Sequence, residues 1–352
     1  MYITKLFFCF FILTSCTHSE QWEQKQEANT VSIMAYNVEN LFDTLHDKGT
    51  RDFSYLPKKD KHLFVKECNK INNSYYRRTC LNLDWNKNIL SKKINNLATA
   101  ILQVNKGMGP DILILSEVEN LRVLQQLNKK LKKAKYAITH IEGFDTRGID
   151  VAFFSRLKKI GKSKLHRINF KARNLKDKKG MSRSRGILES VFALPDGNLI
   201  NIFGVHFPSP GNPAYWRRQA IASLNTLANR LPKNRLAIAG GDFNIPKKED
   251  NKNHFYEKHL GSVWRVSHLI GCSSCKGTHT YKGHWSFLDA LLIRKINKKS
   301  WSFKKNSVGT PNKTRVQFNN FSQPARFDAK SGYGTSDHFP IYLQIKKTKN
   351  EK

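Results

Sequence analysis

The stretch Arg235 to Ile245, RLAIAGGDFNI, limits what this chain can fold into more than any other. Its apolar run Leu236-Ala237-Ile238-Ala239 is continuous, as in a strand covered on both faces. Gly240-Gly241 then predicts a backbone turn from which Asp242 and Asn244 project at the strand's end. Two residues apart in an extended segment, the carboxylate and the carboxamide point the same way. One is placed to activate a water and the other to hold an anionic oxygen. An isolated GDFN would be an ordinary polar turn, but other strand ends in the chain repeat the pattern.

Val31 to Tyr36 alternates as a strand does and runs into Asn37-Val38-Glu39-Asn40. Residues 43 to 86 are charged and read as irregular. Leu90, Ile94, Leu97, Ile101 and Leu102 recur at helical spacing, and Asp111 to Leu115 is a buried strand ending in Ser116-Glu117. A second amphipathic helix is expected over 121–131, then strands near 136–141 and 149–154. The basic segment 158–179 reads as irregular. Asp196-Gly197 marks a hairpin whose second strand ends on His206. Asn212-Pro213 opens a helix to about Leu231, with Pro213 at its first position. Further strands are expected over 287–293 and 339–345. Strands alternating with helices, mixed with a hairpin, predict an α/β or α+β layered fold with a mixed sheet. Asn37, Glu117, His206 and Asp242 follow strand ends, whereas Asp289, Asp337 and His338 sit at strand starts. One sheet rim gathers all seven.

The 352 residues suffice for one main domain, here residues 31–346, with a short basic tail over 347–352. A net charge of +34 favours a polyanionic partner, nucleic acid or an anionic membrane surface, although a Lys-rich and Asn-rich genome would also raise it. Lys5 and the apolar run Leu6 to Leu13 form a leader too short to span a bilayer. Leu13-Thr14-Ser15-Cys16 resembles a bacterial lipobox, which implies removal of residues 1–15, lipid on Cys16, a polar tether over 16–30 and export to a membrane surface. A plain secretory cut nearby is the alternative. Cys68, Cys80, Cys272 and Cys275 then remain in an oxidising compartment, and local pairing is expected. Cys68 with Cys80 would contribute about 3 kcal/mol. Against the second pair stands the zinc-like spacing of His268, Cys272, Cys275 and His279.

YNVENLF at 36–42, LSEVEN at 115–120, GVHFPS at 204–209, GGDFN at 240–244, FLDALL at 287–292 and GTSDHFPI at 334–341 resemble the ordered motifs of the endonuclease/exonuclease/phosphatase superfamily, the DNase I-like group. The resemblance implies a four-layer sandwich of two mixed sheets flanked by helices, and metal-dependent hydrolysis of phosphate esters. By that resemblance Glu117 is the principal metal ligand, aided by Asn37 and Asp337. These oxygen donors suit Mg²⁺, with Mn²⁺ or Ca²⁺ as alternatives. Asp242 resembles the base that aligns water, Asn244 a phosphate-oxygen donor, and His338 the group that binds or protonates the phosphoryl, oriented by Asp289. His206 matches a second histidine of nuclease-like members. Arg185 resembles a phosphate-contacting arginine, with Arg183 a weaker candidate, and Glu39 and Asp150 are supporting carboxylates.

The expected function is an exported nuclease acting on DNA or RNA as a monomer. A polyanionic strand uses many Lys and Arg contacts, whereas a headgroup or sugar phosphate uses few. The alternatives are a phosphodiesterase or phosphatase for lipid or small-molecule phosphates, and a surface lipoprotein that binds nucleic acid without cleaving it. The long segments 43–86 and 261–284 leave the substrate open.

Overall fold

The computed structural model describes residues 29–272, 274–296 and 300–348. The leader with Cys16, most of the tether and the end of the basic tail lie outside them. The strands in chain order are β1 (Thr30–Leu41), β2 (Ile112–Val118), β3 (Ala137–His140), β4 (Asp150–Ser155), β5 (Lys159–His166), β6 (Ile187–Ala193) and β7 (Leu199–His206). They continue with β8 (Leu236–Asp242), β9 (Trp264–Val266), β10 (His279–Tyr281), β11 (His284–Ser286), β12 (Asp289–Arg294), β13 (Trp301–Phe303) and β14 (Ile341–Lys347).

Two six-stranded mixed sheets result, one in the order β13-β14-β1-β2-β4-β3 and the other β5-β6-β7-β8-β12-β9. The parallel pairs β1–β2 and β7–β8 lie inside an otherwise antiparallel frame. Period-2 alternation decides the layering. Ile33 and Ala35 of β1 face Ile202, Ile238 and Leu291 of the other sheet, while Met34 and Tyr36 face outward. The outward side is covered by the helices Lys87–Leu102 and Leu121–Lys130, through Leu90, Ile94, Leu97, Leu124 and Leu127. The second sheet turns Phe203, Val205 and Ala239 toward Ile221 and Leu224 of the helix Ala214–Asn229. Burying each large side chain is worth about 1.5–3 kcal/mol, so this four-layer order follows from which faces are apolar. It is the DNase I-like arrangement expected.

Several local expectations need correction. β8 runs straight through Gly240-Gly241 to Asp242, so the glycines are not a turn. They are where other parts of the fold come too close for a side chain: a Cβ on Gly240 would lie 2.6 Å from Ile114 Cδ1, and one on Gly241, at φ +132°, would lie 2.0 Å from Val205 O. The segment 43–86 is largely short helices rather than irregular chain, including Ser74–Asn82 with Asn73 as its cap. The basic segment 158–179 contains β5, an edge strand whose exposed lysines mask its alternation and discourage edge-to-edge pairing, and the helix Leu175–Met181. The helix expected from Pro213 begins at Ala214, with Pro213 as the flanking cap residue. Cys68 pairs with Cys80 and Cys272 with Cys275. The zinc-like set does not assemble, because His268 stacks on Phe287 and His279 lies against His338.

Candidate active site

The site forms where corresponding ends of the two sheets meet. Ladder register does much of the positioning: His206 of β7 and Asp289 of β12 both stand opposite Asp242 of β8. In the other sheet Asn37 pairs with Ser116, and the register then slips, so Glu117 occupies a bulge with φ +64°. A carboxylate in left-handed backbone is costly, of order 1–3 kcal/mol, and a bulge re-aims the side chain off the ladder. Glu117 is thereby turned toward the neighbouring sheet. The loop before β14 is pinned by Ser336, whose Oγ donates to Asn37 O at 2.7 Å and accepts from His338 N at 3.1 Å.

Asn37 Nδ2 donates to Glu117 Oε1 at 3.2 Å and to Asp242 Oδ2 at 3.1 Å, joining the two sheets. His206 Nε2 lies 3.6 Å from both carboxylates. Burial, then Arg185, Arg147 and His338, push its pKa well below the usual histidine value, so the ring is neutral. His338 is opposite in character. Burial alone would lower it, but Asp289 Oδ2 at 2.6 Å from Nδ1, with Asp337 and Asp242, outweighs burial and holds the imidazolium well above the ordinary range. Asp242 is pushed up to about 8, by burial first and then by Asp289 and Glu117, against His338 and the Asn37 hydrogen bond.

Asn244 departs from expectation. At φ +55° the chain is no longer extended, its N–H donates to Asp242 Oδ1 at 2.8 Å, and Nδ2 donates to Phe207 O at 3.0 Å. It props the Asp242 carboxylate and the end of β7. Asp150 also points elsewhere, with Oδ2 3.1 Å from His140 Nε2. Arg183 is half-buried, and Arg185 lies 3.1 Å from Asp145 with Glu117 and Asp242 within electrostatic reach.

Sequence reasoning missed three contributors. Arg147 shares Asp145 with Arg185, through Nη2 to Oδ2 at 2.9 Å. Arg326 ties Asp337 to Glu39, lying 3.0 Å from Glu39 Oε1. Glu39 is nonetheless pushed up to about 7, by burial and then Asp337, with Lys93 and Arg326 opposing. His279 bridges to His338 along the backbone, and its ring centroid is 4.8 Å away. Arg147 and Arg326 come from loops without periodicity, where no pattern marks them; His279 stood only in the zinc-like spacing.

A model of the Endonuclease/Exonuclease/phosphatase family matches residues 64–347 of this sequence. The chain belongs to that family. Its members are phosphoester hydrolases, and this family member is one of them. No curated protein matches it in sequence. Among solved structures it is similar to humanized TDP2 of D. rerio, with a TM-score of 0.56 at 15% identity over 90% of this chain and 99% of that one. It is also similar to an endonuclease/exonuclease/phosphatase family protein of Bacteroides thetaiotaomicron, TM-score 0.55, 14% identity, over 91% and 98%. A mannosyl-6-phosphatase of Bacteroides thetaiotaomicron gives 0.53 at 15% identity over 90% and 99%. These likenesses show the fold.

Members of the family are typically divalent-metal dependent, and the donor set here fits such an ion. Oxygen donors gather there without the cationic His338: Glu117 Oε1 and Asp242 Oδ2 meet on Asn37 Nδ2, and Asp337 Oδ1 lies 3.9 Å from His338 Nε2. Asp289 Oδ1 is fully buried without a hydrogen-bond partner, and Asp242 is raised by burial and then by Asp289 and Glu117. Crowding of this kind among carboxylates is what a hard cation relieves. Asn37 turns its NH₂ to Glu117 and Asp242 while its Oδ1 accepts from Glu39 N–H at 3.0 Å, so the amide would have to give up that bond to offer Oδ1 to an ion.

Proposed function

We propose that this hydrolase is an exported, divalent-metal-dependent nuclease that cleaves phosphodiester bonds of DNA or RNA. The observation that carries the reading is the charge around the carboxylates. Arg147, Arg185 and Arg326 line a site on a chain of net charge +34, and a polyanionic strand gains from many such contacts. A neighbouring structure, TDP2 of D. rerio, is described in complex with single strand DNA product, which is compatible with this assignment.

Glu117, with Asn37 and Asp337, would hold Mg²⁺, with Mn²⁺ or Ca²⁺ as alternatives. The ion supplies stabilisation of charge on the phosphoryl oxygens. Asp242 aligns the attacking water and takes its proton. Asn244 fixes the Asp242 carboxylate through its N–H. His338, kept cationic by Asp289, donates to a phosphoryl oxygen, and neutral His206 stands beside Asp242 and Glu117 as a donor available to the substrate. Arg185 and Arg147 meet a substrate phosphate. Export with lipid on Cys16 would display a monomeric enzyme at a membrane surface.

The second reading is a phosphatase or phosphodiesterase for lipid or small-molecule phosphates. It is supported by the lipobox-like leader and by the likeness to a mannosyl-6-phosphatase. Purified protein is to be incubated with plasmid DNA, RNA, sphingomyelin and inositol phosphates, with and without EDTA. For a nuclease, KM for DNA should rise steeply between low and moderate salt while turnover of a small diester barely changes. A flat salt response, or cleavage confined to the lipid or inositol substrates, favours the second reading.

A further inference from the structure

The segment between β1 and the helix Lys87–Leu102 is more than the sandwich needs, and it is firmly docked. Trp85 Nε1 donates to Phe42 O at 3.1 Å. Tyr55 stacks on Phe42 with centroids 4.2 Å apart and meets Trp85 edge-on at 5.4 Å. Trp85 in turn meets Phe327 edge-on at 5.9 Å, and Phe327 follows Arg326, the guanidinium that joins Glu39 and Asp337. The Cys68–Cys80 disulfide then ties the helix Ser74–Asn82 back onto the segment.

That helix exposes what a helix ordinarily buries. Tyr75 and Tyr76 are 60% and 61% exposed, with ring centroids 5.4 Å apart, and Arg77 and Arg78 follow them directly. The segment that carries this face meets the catalytic rim through Trp85 on Phe327, next to Arg326, and Tyr75 is within electrostatic reach of that guanidinium. Two adjacent rings left in water forgo part of the roughly 150–250 Å² of burial each offers, and they are rigid, flat and set among arginines. Tyr281, 69% exposed in the β10–β11 hairpin, is two residues from His279 and gives the site another exposed ring.

We propose that Tyr75 and Tyr76 are a stacking platform for unpaired bases, so that the substrate is a single-stranded nucleic acid whose backbone lies on the arginine-lined rim. The proposal rests on the nuclease reading and deepens it. Bases inside a duplex stack on one another and offer no free face, whereas a single strand presents every base to an aromatic ring and its phosphates to nearby cations. A lipid surface would also accept exposed tyrosines, but the exposed Arg78, three residues from Tyr75, and Arg326 at the rim set cations near the rings for a strand's phosphates.

The test compares a single-stranded oligonucleotide, its abasic analogue of equal length and bis-(p-nitrophenyl) phosphate, each with Mg²⁺. The proteins are wild type, the double variant Tyr75→Ala/Tyr76→Ala and the double variant Tyr75→Phe/Tyr76→Phe. The alanine variant should raise KM for the base-bearing strand by roughly tenfold or more, from a stacking contribution of about 1–3 kcal/mol per base. The abasic strand and the small diester should be hydrolysed as by wild type, which also shows that the variant folds. The phenylalanine variant should match wild type, because stacking uses the ring. An equal loss on abasic and base-bearing strands, or no loss on either, overturns the platform. Lost co-sedimentation with phosphatidylserine vesicles, with oligonucleotide kinetics unchanged, makes the face a membrane contact and overturns it too. If wild type cleaves no oligonucleotide at all, the nuclease reading fails and the platform with it.

Discussion

His338 Nδ1 lies 2.6 Å from Asp289 Oδ2, and both residues are buried at the seam of the two sheets. Burial works against a charged imidazole, yet the carboxylate keeps it charged. Asp289 therefore sets the ring's orientation and protonation together.

His338→Ala should lower turnover by about 10² to 10⁴, the usual range for an acid-base partner. Asp289→Asn should resemble it, and the double variant should lose little more than either single one. The sign of the pH effect is also set. With its main opposing charge removed, burial dominates and the His338 pKa falls, so the alkaline limb of kcat in Asp289→Asn should move to lower pH. Rate profiles of the single and double variants measure both effects; defects that multiply mean that the two residues work separately.

Much of this arrangement was legible because the central strands are short, apolar and followed at once by polar groups. β1, β2, β7 and β8 each announce both a buried run and the side chain at its end. Edge strands were not legible: Lys159, Lys162 and Lys164 on β5 are exposed, and solvent-facing lysines erase the alternation. The path of the chain at Asn244 was not legible, because at φ +55° it leaves the extended line of β8 and is held by Phe207 O and Leu288 O on neighbouring segments. Arg147 reaches the site from a turn and Arg326 from a loop, so only tertiary packing reveals them.

Chelation should abolish activity, and Mg²⁺ or Mn²⁺ should restore it, since Glu117, Asn37 and Asp337 offer oxygen and no thiolate. A readout independent of turnover is thermal: the ion should raise the Tm of the wild-type protein, because a ligand that binds only the folded state stabilises it, and should do so much less in Glu117→Gln. Full activity after exhaustive chelation contradicts the metal assignment.

Cys16→Ser should release the protein from membranes with kcat unchanged, because every residue of the site lies in the fold that begins at Thr30. Fractionation and acyl labelling decide it. A variant that still sediments with membranes, beside a wild type without acyl label, rules out the lipobox reading.

Glu119 offers a test of stability that is separate from catalysis. It is buried two residues beyond Glu117, with Oε2 accepting from Asp43 N at 2.7 Å. Burial pushes its pKa from 4.5 to about 9; the Asp43 N–H opposes this, and the Asp43, Asp52 and Asp47 carboxylates add to it. Between those two values the folded state holds a proton that the unfolded state releases, so this group's contribution is complete at low pH and drains away as pH rises. One such proton contributes a slope of up to about 1.4 kcal/mol per pH unit. Glu119→Gln keeps the shape and an oxygen for the Asp43 N–H but cannot ionise. The variant should therefore match wild type near about pH 5 and exceed it progressively toward about pH 9. Glu39 and Asp242, pushed up to about 7 and about 8, add slopes of the same sign to both proteins, so the difference between them isolates Glu119. Urea midpoints across that range measure it, and parallel curves for the two proteins would show that Glu119 is ionised in the fold.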